Sequence, residues 1–250
     1  MQRYFISKDN WQDHSLQVLE DDYHHIVHVM RMTIDDQFIG NRYDGQSAVC
    51  KIIAISDDAV EAIVIEWLTE TTELPISITI AQGLPKGDKW EFILQKGTEL
   101  GAKHFIPFQS SRSVVKWDSK KLKNKLPRWQ KIVKEASEQA HRTKVPTVDS
   151  VLSITDIINA SCDYDWKFFA YEETTRAYHA SKLYDYISKV NKGQSVLVCI
   201  GPEGGFSENE ASQLKHAGFD AIRLGPRILR TETAPLYVLA NLSFYFEEMR

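Results

Sequence analysis

The stretch Ser195-Val196-Leu197-Val198-Cys199-Ile200-Gly201-Pro202-Glu203-Gly204-Gly205-Phe206-Ser207 reads as a buried strand that breaks into a glycine loop and restarts as a helix. Val196 to Ile200 is an unbroken apolar run, which suits a strand covered on both faces, as in a parallel sheet. Gly201, Gly204 and Gly205 permit positive φ and close approach of backbone to a bound molecule. Ser207 and Glu210 then form a Ser-x-x-Glu capping box for the next helix. Strand, loop and helix in that order are the unit of an open α/β sheet, where ligands bind at the carboxyl ends of strands. The loop is not Gly-x-Gly-x-x-Gly and has no Gly-Lys-Ser/Thr, which argues against dinucleotide and ATP sites. On its residues alone it fits a small ligand held by backbone or a tight structural turn. Glu203 either tunes such a site or balances the dipole of the following helix.

The same pattern extends outward on both sides. Strands are expected at 76–81, 105–108, 167–171, 195–200 and 221–224. Helices are expected at 89–100, 120–142, 153–159, 178–189, 208–217 and 233–248. Their alternation predicts an α/β domain around a mostly parallel sheet. Two more strand ends lead into loops of interest: Tyr171-Glu172-Glu173-Thr174-Thr175, and Gly225-Pro226-Arg227-Ile228-Leu229-Arg230-Thr231-Glu232-Thr233-Ala234. Pro235 suits the start of the last helix. Residues 1–70 differ: strand-like runs at 15–19, 37–42, 47–55 and 60–68, turn signals Asp44-Gly45 and Asp57-Asp58, and one helix at 21–31 predict a small β-rich unit. The polar segment 69–75, ending in Pro75, reads as a linker, so the expected domains are 1–72 and 73–250.

The chain has 250 residues, 43% hydrophobic and 26% charged, the mix of a globular protein. No apolar run is long enough for a membrane span, and residues 1–10 lack the core of a signal peptide, so a cytoplasmic protein is expected. Cys50, Cys162 and Cys199, odd in number and far apart, exclude a disulfide scaffold and a C-x-x-C zinc site. The net charge of −4 hides a segregation: residues 1–74 carry −9, residues 75–144 carry +9 and residues 145–250 carry −4. The basic block, densest from Arg112 to Lys144, reads either as a polyanion contact or as a solvated helix face.

The loops Ile200–Ser207 and Leu224–Ala234 resemble the signature loops of the SPOUT class of S-adenosylmethionine-dependent RNA methyltransferases. They are most similar to the RsmE family, the bacterial small-subunit ribosomal RNA uridine-N3 methyltransferases. His24-His25-Ile26-Val27-His28-Val29-Met30-Arg31, Lys86-Gly87-Asp88-Lys89, Glu99-Leu100-Gly101 and Ser111-Arg112-Ser113-Val114 agree, so the resemblance spans nearly the whole chain; His28 stands where the family pattern has arginine. The resemblance implies a PUA-like β-barrel that helps dock RNA, followed by an α/β domain with a parallel sheet and a deep trefoil knot. It implies pairing of two subunits near the knots and action on 16S rRNA within the small subunit. It also implies a cofactor pocket lined by Tyr171, Glu172, Ile200, Gly201, Pro202, Gly205, Leu224, Gly225, Ile228, Leu229, Arg230 and Thr231.

For methyl transfer to a ring nitrogen, the protein must align the methyl with the nitrogen and help remove the imide proton. Arg112 and Arg230 are the candidates for orienting the base or stabilising charge on its carbonyl oxygens. Glu232 is the candidate proton acceptor, against a plain helix N-terminal charge. RNA-binding candidates are Arg31, Lys86, Lys89, Lys121, Lys125 and Arg128, with Trp117 and Trp129 as stacking or core residues. His24, His25 and His28 lack a His-Glu-x-x-His pattern, so a metal site is not expected. Methylation of pyrimidine carbon 5 would require a cysteine nucleophile, and none is placed for it. The competing functions are a SPOUT enzyme acting on another RNA and a non-catalytic RNA-binding protein.

Overall fold

The computed structural model describes residues 1–69, 72–115, 119–172 and 182–249, with the side chains of 119–123 outside the description. The chain divides into two units, Met1–Glu73 with Ser137–Val145, and Leu74–Ala136 with Pro146–Arg250.

In the first unit, β1 (Arg3–Phe5), β2 (Trp11–Gln12), β3 (Ser15–Leu19), β4 (Gln37–Asn41), β5 (Ser47–Ile55) and β6 (Ala59–Leu68) form one sheet in the order β1-β4-β5-β6-β3-β2. Only β1 and β4 run parallel; the other neighbours are antiparallel. Alternation along β5 and β6 sends Ala48, Cys50, Ile52, Val60 and Ala62 to a core shared with Tyr4, Phe38 and Ile26. Bulges between Val49 and Cys50 and between Ile52 and Ala54 bend the longest pair of strands.

The single helix expected at 21–31 is a short one, α1 (Glu20–His24), that widens into a π-turn over His25–Val29. Met30 N–H bonds the His25 carbonyl at 2.8 Å, five residues back, and Arg31 at φ 53° ends the turn. The wider turn buries Ile26 completely and leaves Val29 and Met30 exposed. The second segment of this unit is tied in by Arg142, whose guanidinium bonds Glu73 at 2.5 Å, and by Asn41, which donates to the Arg142 carbonyl at 3.0 Å.

In the second unit, β7 (Ser77–Gly83), β8 (His104–Gln109), β9 (Thr147–Val148), β10 (Leu152–Ser153), β11 (Trp166–Ala170), β12 (Ser195–Ile200) and β13 (Asp220–Ile222) form a sheet ordered β10-β8-β7-β12-β11-β13, with β9 also on β8. Every pairing is parallel. The two central strands explain the sequence pattern: β12 is buried from Val196 to Ile200, and β7 from Ile78 to Gly83. Helices α2 (Lys89–Glu99), α3 (Ser119–Gln139), α4 (Ile154–Ala160), α5 (Leu183–Ile187), α6 (Glu208–His216) and α7 (Thr233–Ser243) connect or cover the strands. At 1.5 Å per residue α3 is roughly 31 Å long, three residues shorter at its end than expected.

Candidate active site

Parallel pairing places the carboxyl ends of β7, β11, β12 and β13 along one edge of the sheet, and the loops that follow them meet there. β12 runs into the turn at 201–206, closed by Gly205 N–H to the Pro202 carbonyl at 2.8 Å. Two glycines serve this turn differently. A Cβ on Gly201 would sit 3.0 Å from the backbone of Gly205, so the position is filled by chain on chain. Gly205 has open space around it but φ +65°, a conformation that disfavours any side chain. Gly83, at the end of β7, is a third close approach: its Cβ would lie 2.7 Å from the Pro202 nitrogen.

Beneath the turn, Gln82 is fully buried and donates from Nε2 to Thr231 Oγ1 at 2.9 Å and to the Gly201 carbonyl at 3.3 Å. Thr231 in turn donates to the Gly201 carbonyl at 2.7 Å. The glycine turn and the terminal loop are thereby joined through side chains 149 residues apart in sequence.

Ser207 caps α6, and the capping box with Glu210 forms as expected. Glu210 does more than cap. Its buried carboxylate also accepts from Ser111 N–H at 2.8 Å and Ser111 Oγ at 2.9 Å. Burial opposes its charge, but these bonds and those from Ser207 outweigh it and hold the carboxyl below its ordinary value. Glu210 so fixes the turn that carries Arg112, whose guanidinium donates to the Gly204 carbonyl at 3.0 Å.

Between these loops lies a cavity of about 550 Å³, within the roughly 300–1,000 Å³ of small-molecule pockets. Its wall includes Tyr171, Glu172, Ile200, Gly201, Pro202, Gly205, Leu224, Ile228, Leu229, Arg230 and Thr231, together with Arg112 and Lys89. Gly225 and Glu232 are not in that wall; Gly225 adopts φ +75° as the loop leaves β13. Glu173, Thr174 and Thr175 lie outside the described residues. Lys89 does not stand free as a phosphate contact: its ammonium lies 3.0 Å from Glu203 and 3.1 Å from Glu232. The hydrogen bond to Glu203 raises the Lys89 pKa against a smaller opposing effect of burial, and Glu232 adds to the rise. Glu203 is held low because Lys89 and the Lys86 N–H overcome its desolvation.

The other basic candidates are dispersed. Arg31 belongs to the first unit and Lys86 is exposed beside the glycine turn. On α3, Lys125 is half-buried and the exposed Arg128 pairs with Glu91 at 2.6 Å. Trp117 lies outside the described residues, and so does the side chain of Lys121. Trp129 is fully buried, edge-to-face with Trp90 at 5.7 Å, so it is a core residue and not a stacking platform. The His24 and His28 rings lie 4.9 Å apart, tilted by 48°, while His25 bonds the Tyr4 hydroxyl at 2.8 Å. Among the described residues no group of three or more His, Cys, Asp or Glu is placed to hold a metal ion, and no helix is long and apolar enough to cross a membrane. Cys199 is buried inside β12, and burial pushes its thiol far up. Cys50 is buried in the first unit, where desolvation pushes it to about 12 against a weaker backbone hydrogen bond. Neither is a thiolate at neutral pH.

The RNA methyltransferase domain family matches residues 72–243, and the RNA methyltransferase PUA domain family matches residues 19–65. The chain is 48% identical to the ribosomal RNA small subunit methyltransferase E of Bacillus subtilis, over all of this chain and 99% of that one. This chain belongs to the ribosomal RNA small subunit methyltransferase E family. Two solved structures agree with the family fold. One is the Neisseria gonorrhoeae methyltransferase E bound to S-adenosyl methionine, at TM-score 0.85 and 28% identity over 98% of each chain. The other is a putative methyltransferase from Legionella pneumophila in complex with the same cofactor, at TM-score 0.84 and 27% identity over 96% of each chain. The family pattern of a PUA unit before a parallel-sheet domain is the architecture found here.

Proposed function

We propose that this protein methylates N3 of a specific uridine in 16S ribosomal RNA, with S-adenosylmethionine as donor. The observation that carries the reading is the convergence of three loops, from β11, β12 and β13, on one cavity walled by glycine backbone, apolar side chains and three arginines. The residues fit that cofactor. Ile200, Leu224 and Leu229 offer an apolar face for a purine, and backbone at 201–205 comes close because Gly201 and Gly205 carry no side chain. The bound cofactor supplies an electrophilic methyl group. Everything else falls to the chain. Arg112, on the turn fixed by Glu210, and Arg230, on the terminal loop, orient the uracil and stabilise charge on its carbonyl oxygens as the proton leaves. Glu232, paired with the cavity-lining Lys89, is the proton acceptor.

In this reading residues 1–72 dock RNA and residues 73–250 carry out the transfer. The terminal loops thread as a trefoil knot, and two subunits pair through apolar surface that includes the exposed Ile228 and Phe244. The small subunit, or its precursor, is the substrate in the cytoplasm. Mass spectrometry of nucleosides from 16S rRNA incubated with the protein and cofactor should give 3-methyluridine. Because no cysteine is placed as a nucleophile, replacing Cys50, Cys162 and Cys199 together with Ser or Ala should leave most of the activity. A product of 5-methyluridine, or activity lost with Cys199 in a folded protein, contradicts the assignment.

A further inference from the structure

We propose that Lys89 is a positioning residue for the cofactor pocket, an ionic tie between its two principal loops, and not a contact to RNA phosphate. The inference rests on the reading of the cavity as the cofactor site. The glycine turn and the terminal loop are joined at two successive levels. The inner level is neutral and buried: Gln82 and Thr231 on the Gly201 carbonyl. The outer level is charged and half-exposed: the Lys89 ammonium between Glu203 at 3.0 Å and Glu232 at 3.1 Å, with side chains 29%, 30% and 19% accessible.

Lys89 is the first residue of α2, so its stem leaves a fixed helix and supplies an anchor that neither loop provides for itself. Glu203 is further pinned by the Lys86 N–H at 3.1 Å. Remove the ammonium and two carboxylates face each other across the gap, which drives the loops apart. Both carboxylates already use the Lys89 charge, so neutralising a phosphate would first require breaking two ion pairs. Pairs this exposed contribute little to global stability. Their effect falls on the population of the ordered pocket, and a fall of that population to about one-tenth weakens apparent affinity about tenfold.

The test compares wild type, Lys89→Met, Lys89→Arg and Glu203→Gln. The measurements are calorimetric binding of S-adenosylmethionine, amide exchange of the cofactor-free protein, and the salt dependence of binding to a short single-stranded RNA. Lys89→Met should weaken cofactor binding about tenfold and speed exchange in residues 201–206 and 225–232 together, while Lys89→Arg recovers most of both. Glu203→Gln should loosen the same two loops, and adding it to Lys89→Met should cost little more, because one tie is broken once. Should Lys89→Met not fold, Glu203→Gln alone carries the comparison. Unchanged cofactor affinity and exchange, or an RNA salt slope reduced by about one unit with the loops unaffected, overturns the proposal. A wild type that binds no S-adenosylmethionine overturns the proposed function instead, and the exchange data still decide whether the tie exists.

Discussion

The two units of this protein use sheets in opposite ways. In the first, the antiparallel pairs β2–β3, β4–β5 and β5–β6 are each closed by a short turn, and β3 reaches β4 only through the helical segment that starts at Glu20. In the second, all strands point one way, and the loops that leave their carboxyl ends must gather on one edge. Segments as distant as Gln82, Gly201 and Thr231 meet there through hydrogen bonds. The first unit has no such congregation among its described strands. The units also differ in charge. The first holds seven basic and fifteen acidic residues, the second 23 and 19, so a net of −8 stands against +4. In the proposed function, counterion-releasing attraction to RNA falls to the second unit, because the first is net acidic.

Four perturbations sharpen or break this contrast. The largest effect is expected for Gly201→Val, which drives side-chain carbons into the Gly205 backbone. Calorimetry should show cofactor binding lost, with the circular dichroism of the fold kept. Binding that survives would mean the edge of the parallel sheet is not the site. Next, Arg230→Ala should lower the methyl-transfer rate by roughly a hundredfold or more, the scale of losing one donor to a developing oxyanion. A smaller loss in single-turnover assays would remove Arg230 from the chemistry.

Third, Glu210→Gln should destabilise the protein by about 2 kcal/mol at pH 7, because charge-assisted bonds to Ser111 and Ser207 become weaker or unmade. Its folded pKa is lowered, so its contribution is present above the ordinary glutamate value and disappears as pH falls through the folded one. The gap between wild type and variant in urea melts should therefore close in acid. A gap constant with pH would show that shape, not charge, holds the Arg112 turn. Smallest is Lys125→Gln with Arg128→Gln. The salt slope of RNA binding should fall by less than the roughly two units of two free phosphate contacts, because Arg128 is already shared with Glu91. No change would confine the charge contrast to a solvated helix face.

Much of this was legible in the sequence where local pattern and tertiary role coincide. The strands at 47–55 and 195–200 end where expected because a turn or glycine abuts an apolar run. β9 and β10, two residues each, are too short to carry any periodicity. Trp129 misleads if read beside its lysines. Its spacing with Val133 and Ala136, both buried, is the helical i, i+4, i+7 of a core face. The three ligand loops could be found from strand ends alone, but their ties could not. Lys89 displays a charge in the sequence and hides its partners, the nearer of which lies 114 residues away. Glu210 is visible as a capping residue, whereas its grip on Ser111 exists only in three dimensions.

The return of Ser137–Val145 to the first unit has a bearing on how the protein is made. A nascent chain halted after residue 72 holds every strand of the first sheet, yet lacks the Arg142 carbonyl that the buried Asn41 amide requires. The chain at that stage forgoes this bond, worth about 0.5–1.5 kcal/mol net. At roughly 5–20 residues per second, the ribosome takes on the order of 4–14 s to deliver the missing segment. The first unit to be synthesised is therefore not the first to be finished, and it awaits the residues that follow α3 before it can close.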